Sequence, residues 1–432
     1  MTDLEYVKII AQEVHKYGGS TYFVGGYVRD RLLNIESKDI DIEIHGLSKE
    51  QILNIISKVG IPQIYGDSFE VISLAHSNID ISYVEANVSK KQACMRRDFT
   101  MNAMMQDVLS DEIIDYFDGK KHIKDKQIHV ISKQSLIDDP LRVYRMAQFA
   151  ARFQFDIAQE SMEYGRKIDL KTIKQERILE ELRKVMLKST KPSIFFTVLK
   201  TMNQLEPHFS ELKALIDLKQ NQIHHEEKDG FTHTMMGLDE ASKVKDLTKN
   251  PFYFMMSALC HDFGKAVTTT YDQEIIHSYE HEIKGIPLVE TFIKRLSNEK
   301  ALCQYVTNMT LLHMKPNVYA MNQSKVKKTN AMFYESVDPM GLIQLALCDD
   351  KGRICHLKHI DTQPFLMQRL NIYEDMLQKE YVSGKDLIAC GIKPDANFKL
   401  LLDYALKLRL ANVSKQDALK QVLSYERKLK KV

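Results

Sequence analysis

The chain has 432 residues, of which 44% are apolar and 27% charged, with a formal net charge of +2. A chain of this length accommodates roughly two to four domains with ordinary cores. Its longest apolar runs fall far short of a membrane span, and its near-neutral balance excludes nucleic-acid binding by bulk charge, leaving only a local basic surface for that purpose.

The first residues, Met1 to Lys8, have neither a basic n-region nor an apolar h-region, so a cytoplasmic protein without membrane contact is expected. Up to about residue 120, short β-rich runs alternate with helical ones. Tyr22 to Val24, Ile40 to Ile44, Val71 to Ala75 and Ile79 to Val84 read as strands, and His76-Ser77-Asn78 supplies turn chemistry for a hairpin between the last two. Gly25-Gly26 follows the first strand and precedes a helix start carrying Arg29. Paired glycines let a backbone approach a ligand closely, and free N–H groups at a helix start suit phosphates. Alone, the pair equally reads as a plain strand-to-helix turn.

In Asp39-Ile40-Asp41-Ile42-Glu43-Ile44 the alternation is strict. The carboxylates share one face of the strand and the isoleucines the other. Close carboxylates repel unless a cation lies between them, which suits Mg²⁺ held by a few carboxylates and substrate phosphates. Asp80, between Ile79 and Ile81, can join that face as a third carboxylate, ligand or base. Such a site activates a hydroxyl and stabilises a leaving pyrophosphate.

Downstream, Arg96-Arg97 could neutralise a triphosphate. Asp98 and Asn102 could fix the arginine and a ribose, or Asp98 could simply cap a helix. Asp139-Pro140 reads as a helix start. Arg142 and Arg145 then share a helix face. Glu176, Arg177 and Glu181 read as braces between helices. Beyond residue 138 nearly every segment has helical periodicity. There, Phe252 to Leu259 delivers His261-Asp262 before Gly264, with His233 on an earlier helix and Asp349 on a later one. Two imidazoles and two carboxylates make a divalent-metal site, with Mg, Mn or Ni all compatible. Six scattered cysteines without a C-x-x-C pair read as reduced thiols.

Four ordered segments between Gly25 and Leu182 carry a family resemblance: Gly25-Gly26-x-Val28-Arg29-Asp30 with Asp39-x-Asp41, then Arg96 to Ala103, Asp138-Asp139-Pro140-Leu141-Arg142-x-x-Arg145, and Glu176-Arg177-Ile178-x-x-Glu181-Leu182. Together they resemble class II tRNA nucleotidyltransferases and bacterial poly(A) polymerases. The middle histidines resemble the HD phosphohydrolase superfamily, in which His225, His281 and His313 would add phosphate or metal contacts. The tail, with Ser383 to Ile388 and Gly391 to Pro394, resembles that of HD-containing members. Lys385, Lys393 and the basic run at Arg427, Lys428, Lys430 and Lys431 would contact RNA or simply remain solvated.

The resemblance implies an α+β protein. It would have a polymerase-beta-like head with a small mixed sheet at 1–137, a helical neck at 138–215, an HD domain at 216–360 and a helical tail at 361–432. It implies template-independent addition of CCA to tRNA from CTP and ATP. Asp39, Asp41 and Asp80 would be catalytic and Mg²⁺ would sit on Asp39 and Asp41. Gly25, Gly26, Arg29, Arg97, Asp98, Asn102 and Arg145 would bind the nucleotide, and Asp139 and Arg142 would read the base. His233, His261, Asp262 and Asp349 would hold a second divalent metal for hydrolysis of a phosphomonoester or 2′,3′-cyclic phosphate. One departure is visible. Only fifteen residues separate Asp80 from Arg96, fewer than in members that complete CCA, and the usual arginine after that strand is absent, so A-addition is expected to be weak or missing. Enzymes adding only C-C, poly(A) polymerases, and a hydrolase with a vestigial head are the alternatives. A binding-only RNA module would need no metal carboxylates.

Overall fold

In the computed structural model, the described residues are 2–37, 39–65, 70–85, 87–219, 227, 229–272, 275–354 and 360–429. They form two compact units, one comprising 1–181 with 197–204 and the other 182–196 with 205–432. No helix among the described residues is long and apolar enough to cross a membrane.

The first unit is built on a mixed seven-stranded sheet. Its strands are β1 (Ser20–Val24), β2 (Ile40–His45), β3 (Pro62–Tyr65), β4 (Val71–Leu74), β5 (Ile79–Val84), β6 (Met105–Asp107) and β7 (Ile113–Ile114), in the order β3-β4-β5-β2-β1-β6-β7. Among the described residues of this sheet, only β2 and β5 run parallel, with Asp41 opposite Asp80. The β4–β5 hairpin is present, turned at His76 in a left-handed conformation. The isoleucines at 40, 42, 79 and 81 are buried, each contributing about 1.5–3 kcal/mol by leaving water. That burial also fixes register, since a one-residue slip would drive Asp41 and Asp80 to the apolar face.

Helix α1 (Asp3–Lys16) buries Val7, Ile10, Ala11 and Val14, and α3 (Lys49–Val59) buries Ile52, Ile55 and Ile56. These stripes follow the helical period and pack the two helices together. Reciprocal capping boxes at Thr2/Glu5 and Ser48/Gln51 start them. Between them, α2 (Gly26–Leu32) follows β1 directly through Gly25. Helix α4 (Lys90–Met95) carries the chain to Arg96, and the helix Leu141–Phe153 buries a near-continuous face from Val143 to Ala151.

Among the described residues, the second unit is helical apart from the short pair Thr270–Asp272 and Ile275–His277. The helices Gly230–Val244, Pro251–Cys260, Lys300–Leu312 and Pro339–Lys351 pack on one another. Its end has its own small core of Leu387, Leu401, Leu408, Ala418 and Val422. There Ser383 caps the helix Gly384–Ala389 reciprocally with Asp386, and Lys385 and Lys393 are exposed.

Candidate active site of the head and candidate metal centre

The head site forms where β1 ends and β2 begins. Gly25 has φ +63°, a conformation that side chains other than glycine's rarely adopt. A Cβ added there would stand 3.3 Å from Arg97 Nη1 and 3.5 Å from Asp41 Oδ2. Glycine thus leaves room for a ligand between a guanidinium and a carboxylate. Asp39 precedes β2 and is exposed, Asp41 is half-buried, and Asp80 is exposed on the neighbouring strand. Burial pushes the Asp41 carboxyl up, Arg97 opposes this, and Asp80 and Asp39 push it up further. Excess negative charge around a half-buried carboxylate is what a bound cation would relieve.

Glu43 leaves the open part of this face. Its side chain is buried and accepts from Arg97 Nη2 at 3.1 Å, with His45 Nε2 at 2.8 Å.

Arg29, for which a phosphate contact is expected, is buried beside the glycine turn, its Nη2 3.3 Å from where a Cβ on Gly26 would be. It is 4% exposed, and its guanidinium pairs with Asp30, donates to Asn102 Oδ1 at 2.7 Å and lies over the rings of Phe149 and Phe153. Helical geometry turns it inward, one turn past Gly26. Asn102 in turn donates to Asp98 at 2.8 Å, and Asp98 receives two bonds from Arg145, at 2.9 and 2.7 Å. Arg145 also pairs with Glu181 at 3.7 Å. Arg29, Asn102, Asp98, Arg145 and Glu181 therefore form one brace. Burial raises the Asp98 carboxyl, but Arg145, Asn102 and the Phe99 N–H outweigh it and hold it below the usual range.

Asp139 accepts from Leu141 N–H at 3.2 Å and is held in a two-bond pair by Arg177, at 3.1 and 2.9 Å. Arg142 donates to the carbonyls of Arg96, Arg97 and Ser135 at 2.7, 3.2 and 3.2 Å. The helix that bears Arg142 is thereby locked to the segment that bears Arg97.

In the helical unit, His233, His261, Asp262 and Asp349 are all buried and offer ligand atoms within 4.8 Å of one another, and Asp262 does the same with His281 and His313. His233 Nε2 is 2.9 Å from Asp349 Oδ1 and 3.3 Å from Asp262 Oδ2, while its Nδ1 faces Glu227 at 3.0 Å. The other three rings share one device. Nδ1 of His261, His281 and His313 donates to the carbonyls of Ala258, Ser278 and Thr310 at 2.9, 2.8 and 2.6 Å. That bond turns Nε2 of each ring inward, where the neutral form of the ring would offer it as a metal ligand, and His281 Nε2 lies 3.2 Å from His313 Nε2. His261 Nε2 is buried without a hydrogen-bond partner. Burial would lower the His261 imidazole, but Asp262 and Asp349 raise it to about 10. Burial, His261 and His281 push His313 down to about 3. This donor set fits a divalent cation. Gly264 permits the packing, since a Cβ there would stand 2.0 Å from the His281 carbonyl oxygen. His225, Lys430 and Lys431 lie outside the described residues.

Asp41, its strand neighbour Asp80 and Arg97 come together at one end of the sheet, beside Asp39, where alternation and motif spacing lead one to look for them. The engagement of Glu43 with Arg97 and the part played by Glu227 were not anticipated. The signal for Glu43 was its place in the same alternation. For Glu227 no local pattern exists.

Residues 21–129 match the family model of the poly(A) polymerase head domain. The multifunctional CCA protein of Haemophilus ducreyi is 33% identical over 301 residues, covering 64% of this chain and 70% of that protein. That of Pasteurella multocida is 29% identical over 414 residues, covering 87% and 93%. Among solved structures, a Thermotoga maritima CCA-adding enzyme complexed with tRNA aligns with a TM-score of 0.68 at 19% identity over 98% of this chain and 95% of that one. A CCA-adding enzyme in complex with ATP aligns at 0.69 and 18% identity, over 98% and 94%.

Proposed function

The chain belongs to the multifunctional CCA protein family of tRNA nucleotidyltransferases, and on that premise we propose that it adds C, C and A to the 3′ end of tRNA from CTP and ATP through the carboxylates of its head. The observation that carries this is the meeting of Asp41 and Arg97 at Gly25, with Asp80 opposite Asp41 on the neighbouring strand. Asp39 and Asp41 would hold Mg²⁺, with Asp80 as a third carboxylate. The ion would polarise the α-phosphate and stabilise the leaving pyrophosphate. Arg97 Nη1, facing the glycine turn, neutralises the triphosphate. The turn's backbone lets that triphosphate approach without meeting a Cβ.

Asp139 and Arg142 sit on one rigid helix start and present a carboxylate and a guanidinium of fixed spacing, the donor and acceptor types that pair with a nucleobase edge. Their present partners, Arg177 and three carbonyls, are those a base would exchange with. The test is extension of tRNA lacking its last three nucleotides, with CTP, ATP and Mg²⁺. Incorporation of C, C and A in that order supports the reading, and no extension under any nucleotide combination overturns it.

The helical unit supports a second activity of the HD type: divalent-metal-dependent hydrolysis of a phosphomonoester or 2′,3′-cyclic phosphate. What supports it is the convergence of imidazole Nε2 atoms on two buried carboxylates. Mg, Mn and Ni all suit such a set. A cytoplasmic location belongs to the same proposal and agrees with the free buried thiols Cys94, Cys260 and Cys348.

A further inference from the structure

We propose that Glu43 is a positioning residue for nucleotidyl transfer, tying Arg97 beside Gly25 so that the Asp41 carboxylate stays open to a cation. The inference rests on the reading of Arg97 as a triphosphate contact. Glu43 lies two residues beyond Asp41 on β2 and is 7% exposed. A carboxylate buried in a sheet is costly unless both oxygens are engaged, and here both are. Oε2 accepts from Arg97 Nη2 at 3.1 Å, and Oε1 lies 2.8 Å from His45 Nε2. The His45 ring meets the Tyr22 ring edge-on at 5.4 Å, and the Tyr22 hydroxyl accepts from Lys90. The anchor is therefore itself held.

The other arm of the guanidinium, Nη1, and Asp41 Oδ2 flank the same glycine, 3.3 and 3.5 Å from where its Cβ would be. An arginine so close to a carboxylate is prone to close on it in a two-bond pair. That pair would occupy the oxygens a divalent ion needs and turn the guanidinium away from the triphosphate. Glu43 competes for the guanidinium through Nη2. It engages one amino group, leaves Nη1 facing the turn, and keeps Arg97 off Asp41. An apolar residue at 43 would build the same strand and lose this.

The test measures Mg–CTP affinity calorimetrically for the full chain, Glu43→Gln, Arg97→Ala and the double variant, together with the Mg²⁺ concentration giving half-maximal extension. Glu43→Gln should weaken Mg–CTP binding about tenfold and raise the Mg²⁺ midpoint, and should cost nothing further once Arg97 is alanine. Equal losses in both backgrounds would mean that Glu43 only supports the sheet, and an unchanged affinity in Glu43→Gln alone would equally overturn the proposal. If Arg97→Ala itself leaves affinity unaltered, the triphosphate reading fails first and the proposal falls with it. Should Glu43→Gln not fold, Glu43→Asp, which withdraws the charge by one methylene, is measured in the same two backgrounds: a loss confined to the Arg97 background upholds the proposal, and equal losses or none overturn it.

Discussion

Arg29 lies between two phenylalanine rings with its guanidinium on Asp30 and Asn102, whereas Arg97 keeps part of its surface in the open site. Replacing Arg29 with alanine should therefore act on stability, leaving Asp30 buried without its closest cation at a cost of about 3–5 kcal/mol. A thermal melt reads this directly. A normal melting temperature with a raised KM for CTP would return Arg29 to the phosphates. Asp98 gives a pH prediction. Its carboxyl is held below the usual range when folded, and in the unfolded chain it titrates near ~3.9. Its ion pair with Arg145 thus contributes fully above the unfolded value and is lost as pH falls through the folded one. Wild-type urea midpoints should fall faster than those of Asp98→Asn below about pH 4, and parallel curves would contradict the assignment.

Alternation made the central strands legible, because Ile40, Ile42, Ile79 and Ile81 must be buried together and their polar neighbours must then share the other face. The hairpin between β4 and β5 was legible in its turn residues. The edges were not. β3 opens on a proline and leaves Ile64 and Tyr65 exposed, and β6 and β7 have three and two residues, too few for any period to register. The candidate site was legible where one segment supplies it, as at Asp39 and Asp41; where distant segments meet, the bracing roles of Arg177 and Glu181 were legible on their helix but their partners Asp139 and Arg145, and the burial of Arg29, were not. At this scale the short path from β5, ending at Val84, to α4, starting at Lys90, carries a prediction of its own. Little chain remains there to re-form the site between nucleotides, so addition of the terminal A should be slower than addition of either C. Single-turnover rates on tRNA ending in C-C, compared with tRNA ending one and two nucleotides earlier, measure it. Equal rates would show that the short path is sufficient.

Each compact unit carries one candidate centre, carboxylates with an arginine in the first and imidazoles with carboxylates in the second. His261→Ala or Asp262→Ala should abolish metal-dependent hydrolysis of 2′,3′-cyclic phosphates and leave nucleotide addition intact. Wild-type protein without hydrolysis in Mg²⁺, Mn²⁺ or Ni²⁺ would rule out the second activity. The central claim is that nucleotidyl transfer runs through the carboxylates at the start of β2. The most direct measurement compares wild-type protein with the Asp39→Ala, Asp41→Ala double variant, following extension and binding of tRNA that lacks its 3′ end. The account predicts that the variant binds this tRNA with wild-type affinity and adds no nucleotide, and a variant that still extends it would contradict the account.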